Sequence, residues 1–283
     1  MREVPRRQRR LAVALPATLT LDIPHLREKT DRIGAVARAL AVFRVEEAVI
    51  YRDRGDKEAL TEALLFEKIL RFQETPQYLR KYLFRVDPDL RYAGVLPPLR
   101  TPHHPDRESP RSEQLREGVV VSSGPGSSVD AGFNETVAVT SRLEKFKRVT
   151  IRVTRTSPTL EGELVDATGL HIYWGFKVSR PNRSLGEVIG KGDWDLTIST
   201  SRRGEDIRHV MEDLRARWRN SARVLLMFGS PREGIPEILN RETIKTLEPD
   251  YNLNTIPLQG VETVRTEEAL MTTLGVLNLL EEK

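Results

Sequence analysis

Strand–helix alternation occupies both ends of this chain and is missing from its middle, and that pattern limits the fold more than any other feature. Residues 11–17, LAVALPA, read as a short buried strand. In the following REKTDRIGAVARALAVFRV, residues Ile33, Val36, Ala37, Leu40 and Phe43 recur near helical spacing. EEAVIYRD at 46–53 predicts a second strand. KEALTEALLFEKILRFQET predicts a second helix with Leu60, Leu64, Ile69 and Phe72 inward and Pro76 just beyond. Such an order suggests a parallel sheet flanked by helices. Residues 84–112 are Pro-rich and predict an extended linker.

From about 117 to 178 the chain gives only short β-type runs: GVVVSS, ETVAVTS, RVTIRVTRT, GELVDA and IYWGFKV. Turn residues separate them, as in a small antiparallel barrel, and SSGPGSS predicts a hairpin tip. After Pro181 the α/β character returns. DLTISTS predicts a strand and RRG a turn. EDIRHVMEDLRARW then places Ile207, Val210, Met211, Leu214 and Trp218 on one helical face. ARVLLMFGS predicts a buried strand, NTIPL a last strand edge, and the closing helix buries Leu270, Leu274 and Leu277. The expectation is one α/β domain (1–84 with 172–283) interrupted by a β-barrel insertion with its Pro-rich linker (85–171).

Charge separates one segment from the rest. Residues 1–10 hold Arg2, Arg6, Arg7, Arg9 and Arg10 against one Glu, which leaves 40 Lys and Arg against 40 Asp and Glu elsewhere. A basic arm on a neutral body is expected to bind phosphates; a solvated tail would look the same. No apolar run approaches the roughly 18–20 residues that cross a bilayer, so no membrane partner is expected. With no cysteine and five His lacking metal-site spacing, no metal is expected, and a cytoplasmic location is the default.

Three loops share one design, in which a strand ends, small or Gly-containing residues follow, and a helix begins. They are STSRRGED (199–206), FGSPREGIPEI (228–238) and IPLQGVETVRTEEA (256–269). Ligands of open α/β sheets gather beyond the carboxyl ends of strands, where glycine lets them approach the backbone. Each glycine could equally serve only its own turn. Neither G-x-x-x-x-G-K-[ST] nor G-x-G-x-x-G after the first strand is present, so the usual nucleotide cradles are unsupported.

Taken with NTIPLQGVETVRTEEALMTTLGVLNLL, these loops resemble the C-terminal knot of SPOUT-class methyltransferases. The whole chain resembles the archaeal and eukaryotic RNA methylases of that class whose domain is interrupted by an OB-like barrel, including PRRQRRLAVALPATLT and YWGFKVSRPNRSLGEV. The resemblance implies a trefoil knot, S-adenosylmethionine bound by the knot loops, and a homodimer. It places cofactor contacts at Thr200, Ser201 and Gly204; at Phe228, Gly229, Ser230 and Gly234; and at Ile256, Leu258, Gly260, Thr263 and Val264.

Methyl transfer is an in-line displacement in which positioning supplies much of the advantage, so neither metal nor thiol is needed. Arg265 stands where related enzymes place a substrate-facing polar residue. It is expected to orient the acceptor or a phosphate, or else to pair with Glu262, Glu268 or a partner subunit. Glu262 is the candidate base. Glu267 and Glu268 read as first-turn acids behind a Thr266 cap. RNA is expected on the arm (Arg6, Arg7, Arg9, Arg10) and on a basic stretch of the barrel, with Lys145, Lys147, Arg148 and Arg152 around Phe146. The expected function is methylation of RNA, ribosomal RNA above all. The alternatives are a non-catalytic RNA-binding or ribosome-assembly protein on the same scaffold, and a protein methyltransferase.

Overall fold

The computed structural model describes residues 4–106, 108–179, 182–242 and 247–281. In chain order the strands are β1 (Arg10–Pro16), β2 (Glu47–Tyr51), β3 (Leu115–Ser123), β4 (Ser127–Asp130), β5 (Val137–Val139) and β6 (Arg148–Arg155). They continue with β7 (Glu161–Val165), β8 (Lys177–Ser179), β9 (Leu196–Asp206), β10 (Arg223–Phe228) and β11 (Tyr251–Asn254). The α-helices are α1 (Leu26–Val42), α2 (Lys57–Glu74), α3 (Gln77–Leu83), α4 (Leu185–Lys191), α5 (Ile207–Arg219), α6 (Ile235–Arg241) and α7 (Thr266–Leu277). Two compact units result. One comprises the residues up to Arg6, Phe72–Arg91 and Pro98–Gly175; the other comprises Arg7–Arg71, Tyr92–Pro97 and Phe176–Lys283.

The second unit is built on a six-stranded sheet in the order β11-β9-β10-β1-β2-β8, with every pairing parallel. Parallel strands must be covered on both faces, and the sequence supplies this as near-continuous apolar runs. Leu11 to Leu15 of β1 and Val224 to Phe228 of β10 are all buried. On one face Ala12, Ala14, Leu225 and Met227 pack against Leu185, Val188, Ile235 and Ile238 of α4 and α6. Helix α4 starts from a full capping box, Ser184 with Glu187, which S-x-x-E encodes and the sequence reading passed over.

Three expectations change here. In α2, Leu60 and Leu64 are about half exposed, and the buried stripe is Ala59, Ala63, Phe66, Ile69 and Leu70. NTIPL is not the last strand: β11 ends at Asn254 and a loop follows. IYWGFKV is not a barrel strand either, since β8 begins at Lys177 and pairs with β2.

The basic arm is also different from expectation. Arg7 and Arg9 are buried and act on helix ends. Arg9 Nε donates to the Trp218 carbonyl at 2.7 Å and Nη2 to the Arg219 carbonyl at 3.0 Å, satisfying the terminal carbonyls of α5. Arg7 Nε donates to the Phe43 carbonyl at 2.8 Å beyond α1, while Nη1 pairs with Glu281 at 2.7 Å. Arg10 opens β1 and lies 3.4 Å from Glu46. In the other unit the Arg6 backbone donates to His171 at 2.7 Å and its guanidinium to the Thr168 carbonyl. Arg2 lies outside the described residues.

The first unit carries a closed five-stranded barrel, β3-β4-β5-β7-β6. It is antiparallel except for β5 and β7, which pair parallel. Alternation puts Val129, Val137, Val139, Ile151 and Val153 inside. The SSGPGSS hairpin tip closes β3 onto β4, with the Gly124 N–H donating to Gly126 at 2.7 Å. No helix among the described residues is long and apolar enough to cross a membrane.

Candidate functional site

A shift of register interrupts the sheet between β9 and β11, beside the end of β10. Strand β11 pairs with β9 at Tyr251–Ile198 and Asn252–Ser199, then resumes at Leu253–Glu205 and Asn254–Asp206. Residues 200–204 leave the ladder between these stretches. Gly204 makes their return possible, because a Cβ there would lie 2.6 Å from the Asn252 carbonyl oxygen.

The second loop follows β10. The Ser230 N–H donates to the Glu233 carbonyl at 2.9 Å and the Glu233 N–H to Ser230 Oγ at 3.0 Å. This tight turn needs Gly229, whose Cβ would meet the same Glu233 oxygen at 2.7 Å. The third loop, 255–265, is anchored inside by Thr255 and Thr273, whose hydroxyls lie 2.7 Å apart. Leu258 holds a left-handed backbone there (φ 59°) with a side chain 90% exposed. That conformation costs a non-glycine residue about 1–2 kcal/mol, and such strain collects at functional loops.

Cross-links hold the first and third loops together. Arg202 Nη1 donates to the Glu262 carbonyl at 2.6 Å, and Asn254 Nδ2 to the Arg202 carbonyl at 3.1 Å. Gln259 Nε2 donates to the Val261 carbonyl at 2.8 Å. Between the loops lies a cleft of about 240 Å³. Of the residues expected to form one site, it brings together Thr200, Ser201, Phe228, Gly229, Ser230, Gly234, Ile256, Glu262, Thr263 and Val264.

Four others stand apart from the cleft lining: Gly204, Leu258, Gly260 and Arg265. Gly204 serves the β9–β11 approach, and Gly260 faces open space. Arg265, not Thr266, is the N-cap of α7, its backbone N–H donating to Glu268 Oε2 at 2.9 Å. Glu267 pairs with Arg32 of α1 at 3.2 Å. The sequence reading missed Arg202, Glu233, Asn254 and Gln259, which line the cleft. All four lie within or beside the three strand-end loops of the sequence, but their side-chain types gave no sign of a role.

A second cleft of about 260 Å³ shares Ser230 and Glu233 with the first and is bordered by Thr18, Arg54, Arg232 and Arg241. Beneath it Asp53 is buried, accepting from the Thr18 N–H at 3.1 Å and from the Thr18 hydroxyl. Burial pushes the Asp53 carboxyl up, against the Thr18 hydrogen bonds and the Arg241 charge. The buried Tyr51 hydroxyl donates to the Phe228 carbonyl at 2.7 Å, joining the ends of β2 and β10.

The expected RNA-binding side chains of the barrel divide. Lys145, Phe146 and Lys147 are exposed, with Lys145 Nζ 5.1 Å from the Phe146 ring centre. Arg148 is drawn inward by Glu74 and Glu117, both at 2.6 Å, and Arg152 pairs with Glu163 at 3.1 Å. Arg148 is thus a structural ion-pair partner.

Comparison with known proteins gives a consistent result. The sequence model of a family described as "Putative RNA methyltransferase" matches residues 10–277. An uncharacterized protein of Halobacterium salinarum is 36% identical, over 95% of this chain and 99% of its own length. A 28S rRNA (uridine-N(3))-methyltransferase of Homo sapiens is 33% identical, over 94% of this chain and 77% of its own. The Mus musculus protein of the same description is 31% identical, over 94% and 75%. A match across nearly the whole chain, with a cleft built at the strand ends, makes this protein a member of that RNA methyltransferase family.

Proposed function

We propose that the parallel-sheet unit is a SPOUT methyltransferase domain that binds S-adenosylmethionine in the first cleft and methylates a uridine of ribosomal RNA at N3. The observation that carries this reading is the cleft itself, in which three separate strand-end loops converge. A trefoil knot formed by β11, the third loop and α7 is part of the reading. It is supported by the pairing of β11 with β9 on both sides of the 200–204 excursion. The barrel unit would be the OB-like insertion: its strand order, with one parallel pair between its third and fifth strands, supports this.

The cleft residues suit such a cofactor. Phe228, Ile256 and Val264 offer apolar walls, and Thr200, Ser201, Ser230 and Thr263 offer polar groups. On the cleft wall, no backbone N–H from Glu262 to Val264 has an acceptor among the described residues, leaving donors for a purine edge. S-adenosylmethionine supplies a methyl group on a sulfonium centre. The chain has to hold the uridine ring in line and accept its N3 proton. Glu262, on the cleft wall, would take that proton. Arg265, at the mouth of α7, would orient the acceptor through a ring oxygen or a phosphate. Lys145, Phe146 and Lys147 would hold the strand by charge and stacking. The exposed Leu258, Val261 and Met271 support a homodimer, and the reading puts the protein in the cytoplasm with its RNA.

Calorimetry with S-adenosylmethionine tests the cofactor. Saturable binding is expected, lost in Gly234→Trp with the fold intact by circular dichroism. No binding at millimolar cofactor, or equal binding by the variant, sinks the proposal. Arg265→Ala should keep cofactor affinity and lose turnover; equal loss of both would make it a cofactor or structural residue. Mapping N3-methyluridine in ribosomal RNA of a deletion strain against its parent identifies the target.

A further inference from the structure

The second cleft, beside the one assigned to methyl transfer, carries cations that no step of that reaction uses. The two clefts share Ser230 and Glu233 and so meet at the second loop. The acids of the second cleft are already paired. Asp22 lies 2.9 Å from Arg32, and Glu233 pairs with Arg241 of α6. Asp53, beneath the lining, turns both carboxylate oxygens to Thr18. The remaining cations are not matched in this way. Arg232 is exposed, and its guanidinium has no hydrogen-bond or ion-pair partner among the described residues. Arg54 meets Asp56 at 2.7 Å, with the two side chains 34% and 41% exposed. A solvent-exposed pair of this kind contributes little and can be exchanged for a better acceptor.

The backbone holds Arg232 at this cleft. Its N–H donates to Ser230 Oγ at 3.4 Å, inside the turn that Ser230 and Glu233 close. Leu21 and Pro231 add apolar surface to the same lining. An occupant suited to this wall carries negative charge together with a less polar ring. An inorganic anion would use the arginines alone. A nucleotide uses both, with its phosphate on the guanidinium groups and its sugar on the apolar side chains. The volume, about 260 Å³, lies just below the roughly 300–1,000 Å³ of drug-sized ligand sites. It therefore suits one nucleotide unit rather than a folded RNA element.

We propose that the second cleft seats the nucleotide next to the methylated uridine on the RNA strand. Arg54 and Arg232 hold its phosphodiester, and Leu21 and Pro231 lie against its sugar. Contacts to phosphate fix register and orientation without reading sequence. A strand gripped there presents the neighbouring base at the first cleft, since the two clefts meet at Ser230 and Glu233. Arg54 and Arg232 are thus positioning residues. This inference rests on the reading of the first cleft as the site of RNA methylation.

The test is fluorescence anisotropy of labelled single-stranded UUUUUU with the full chain and S-adenosylhomocysteine, over a salt series. Arg54→Gln and Arg232→Gln should each lower the slope of log affinity against log salt by about 0.7–1. Arg232→Lys, which keeps the charge, should keep the slope. Arg215→Gln, on an exposed part of α5 outside both linings, should leave it unchanged. A hexamer with uncharged methylphosphonate linkages should bind wild type and both glutamine variants alike. Circular dichroism checks that each variant is folded. Unchanged slopes in both glutamine variants overturn the proposal, as does an equal fall in Arg215→Gln or Arg232→Lys. A difference between wild type and variants that persists on the uncharged hexamer also overturns it, as does absence of hexamer binding. Calorimetric binding of inorganic phosphate that the hexamer does not displace would make the cleft a small-anion site instead. Cofactor calorimetry on the wild-type chain reports separately on the first cleft, so the two readings can fail independently.

Discussion

Arg148 donates to both Glu74 oxygens, at 2.6 and 3.0 Å, and to Glu117 at 2.6 Å, with Thr150 and Trp174 also donating to Glu117 at 2.6 Å. Burial alone would raise the Glu74 carboxyl, but Arg148 and His103 outweigh it and hold it at about 2. A carboxyl with its folded pKa below its unfolded one contributes stability above the unfolded value, near 4.5, and loses it as pH falls toward 2. The shift corresponds to about 3 kcal/mol. Thermal melts should therefore show wild type losing stability between pH 4.5 and 2 more steeply than Glu74→Gln. Arg148→Met should cost about 3–5 kcal/mol at neutral pH by leaving two buried carboxylates uncompensated. If its melting is unchanged, the ion pair contributes nothing. Within RVTIRVTR, Arg148 reads like any basic residue of a solvated strand, because its partner Glu74 is 74 positions away and no local pattern records it. Arg7 and Arg9 were obscure for the same reason, since the carbonyls they serve belong to distant helix ends.

Elements were legible where periodicity is one-sided. In α5 the expected face does hold the buried Ile207, Leu214 and Trp218. Helix α2 is apolar around much of its circumference, so the large residues misled. Its buried stripe runs through Ala59 and Ala63, whose small side chains allow close packing, and leaves Leu60 and Leu64 to solvent. The parallel β5–β7 pair was unreadable, because alternation gives a strand's faces and not its neighbour's direction. In the third loop the glycine at 260 suggested where the unusual backbone would be, yet the left-handed residue is Leu258. Leu258→Gly should relieve that strain and raise stability by about 0.5–1 kcal/mol in urea denaturation, while Leu258→Val should lower it. Equal midpoints for all three proteins would show that the loop relaxes freely in solution.

Across the molecule, the formal charge of +4 is a poor guide to RNA affinity, because several of its cations are consumed inside. Arg7, Arg9 and Arg148 satisfy internal acceptors, whereas Lys145 and Lys147 remain exposed. The slope of log affinity against log salt should thus fall by about one for each of Lys145→Ala and Lys147→Ala. Arg9→Met should leave that slope unchanged and lower the melting temperature; a reduced slope in Arg9→Met would return the arm to the RNA-binding surface. The alternation of α/β and β segments marks two kinds of structure in the chain, but residues 72–84, expected in the α/β part, belong to the barrel unit; the three loops mark the strand ends, and their closure depends on pairings between distant strands. That closure has a temporal consequence. The 200–204 excursion is framed on both sides by β11, and the third loop and α7 follow β11 in the chain. During synthesis the sheet can form from β1 to β10 while the cleft still lacks a wall. A nascent chain therefore carries an incomplete cleft until these last segments emerge and dock.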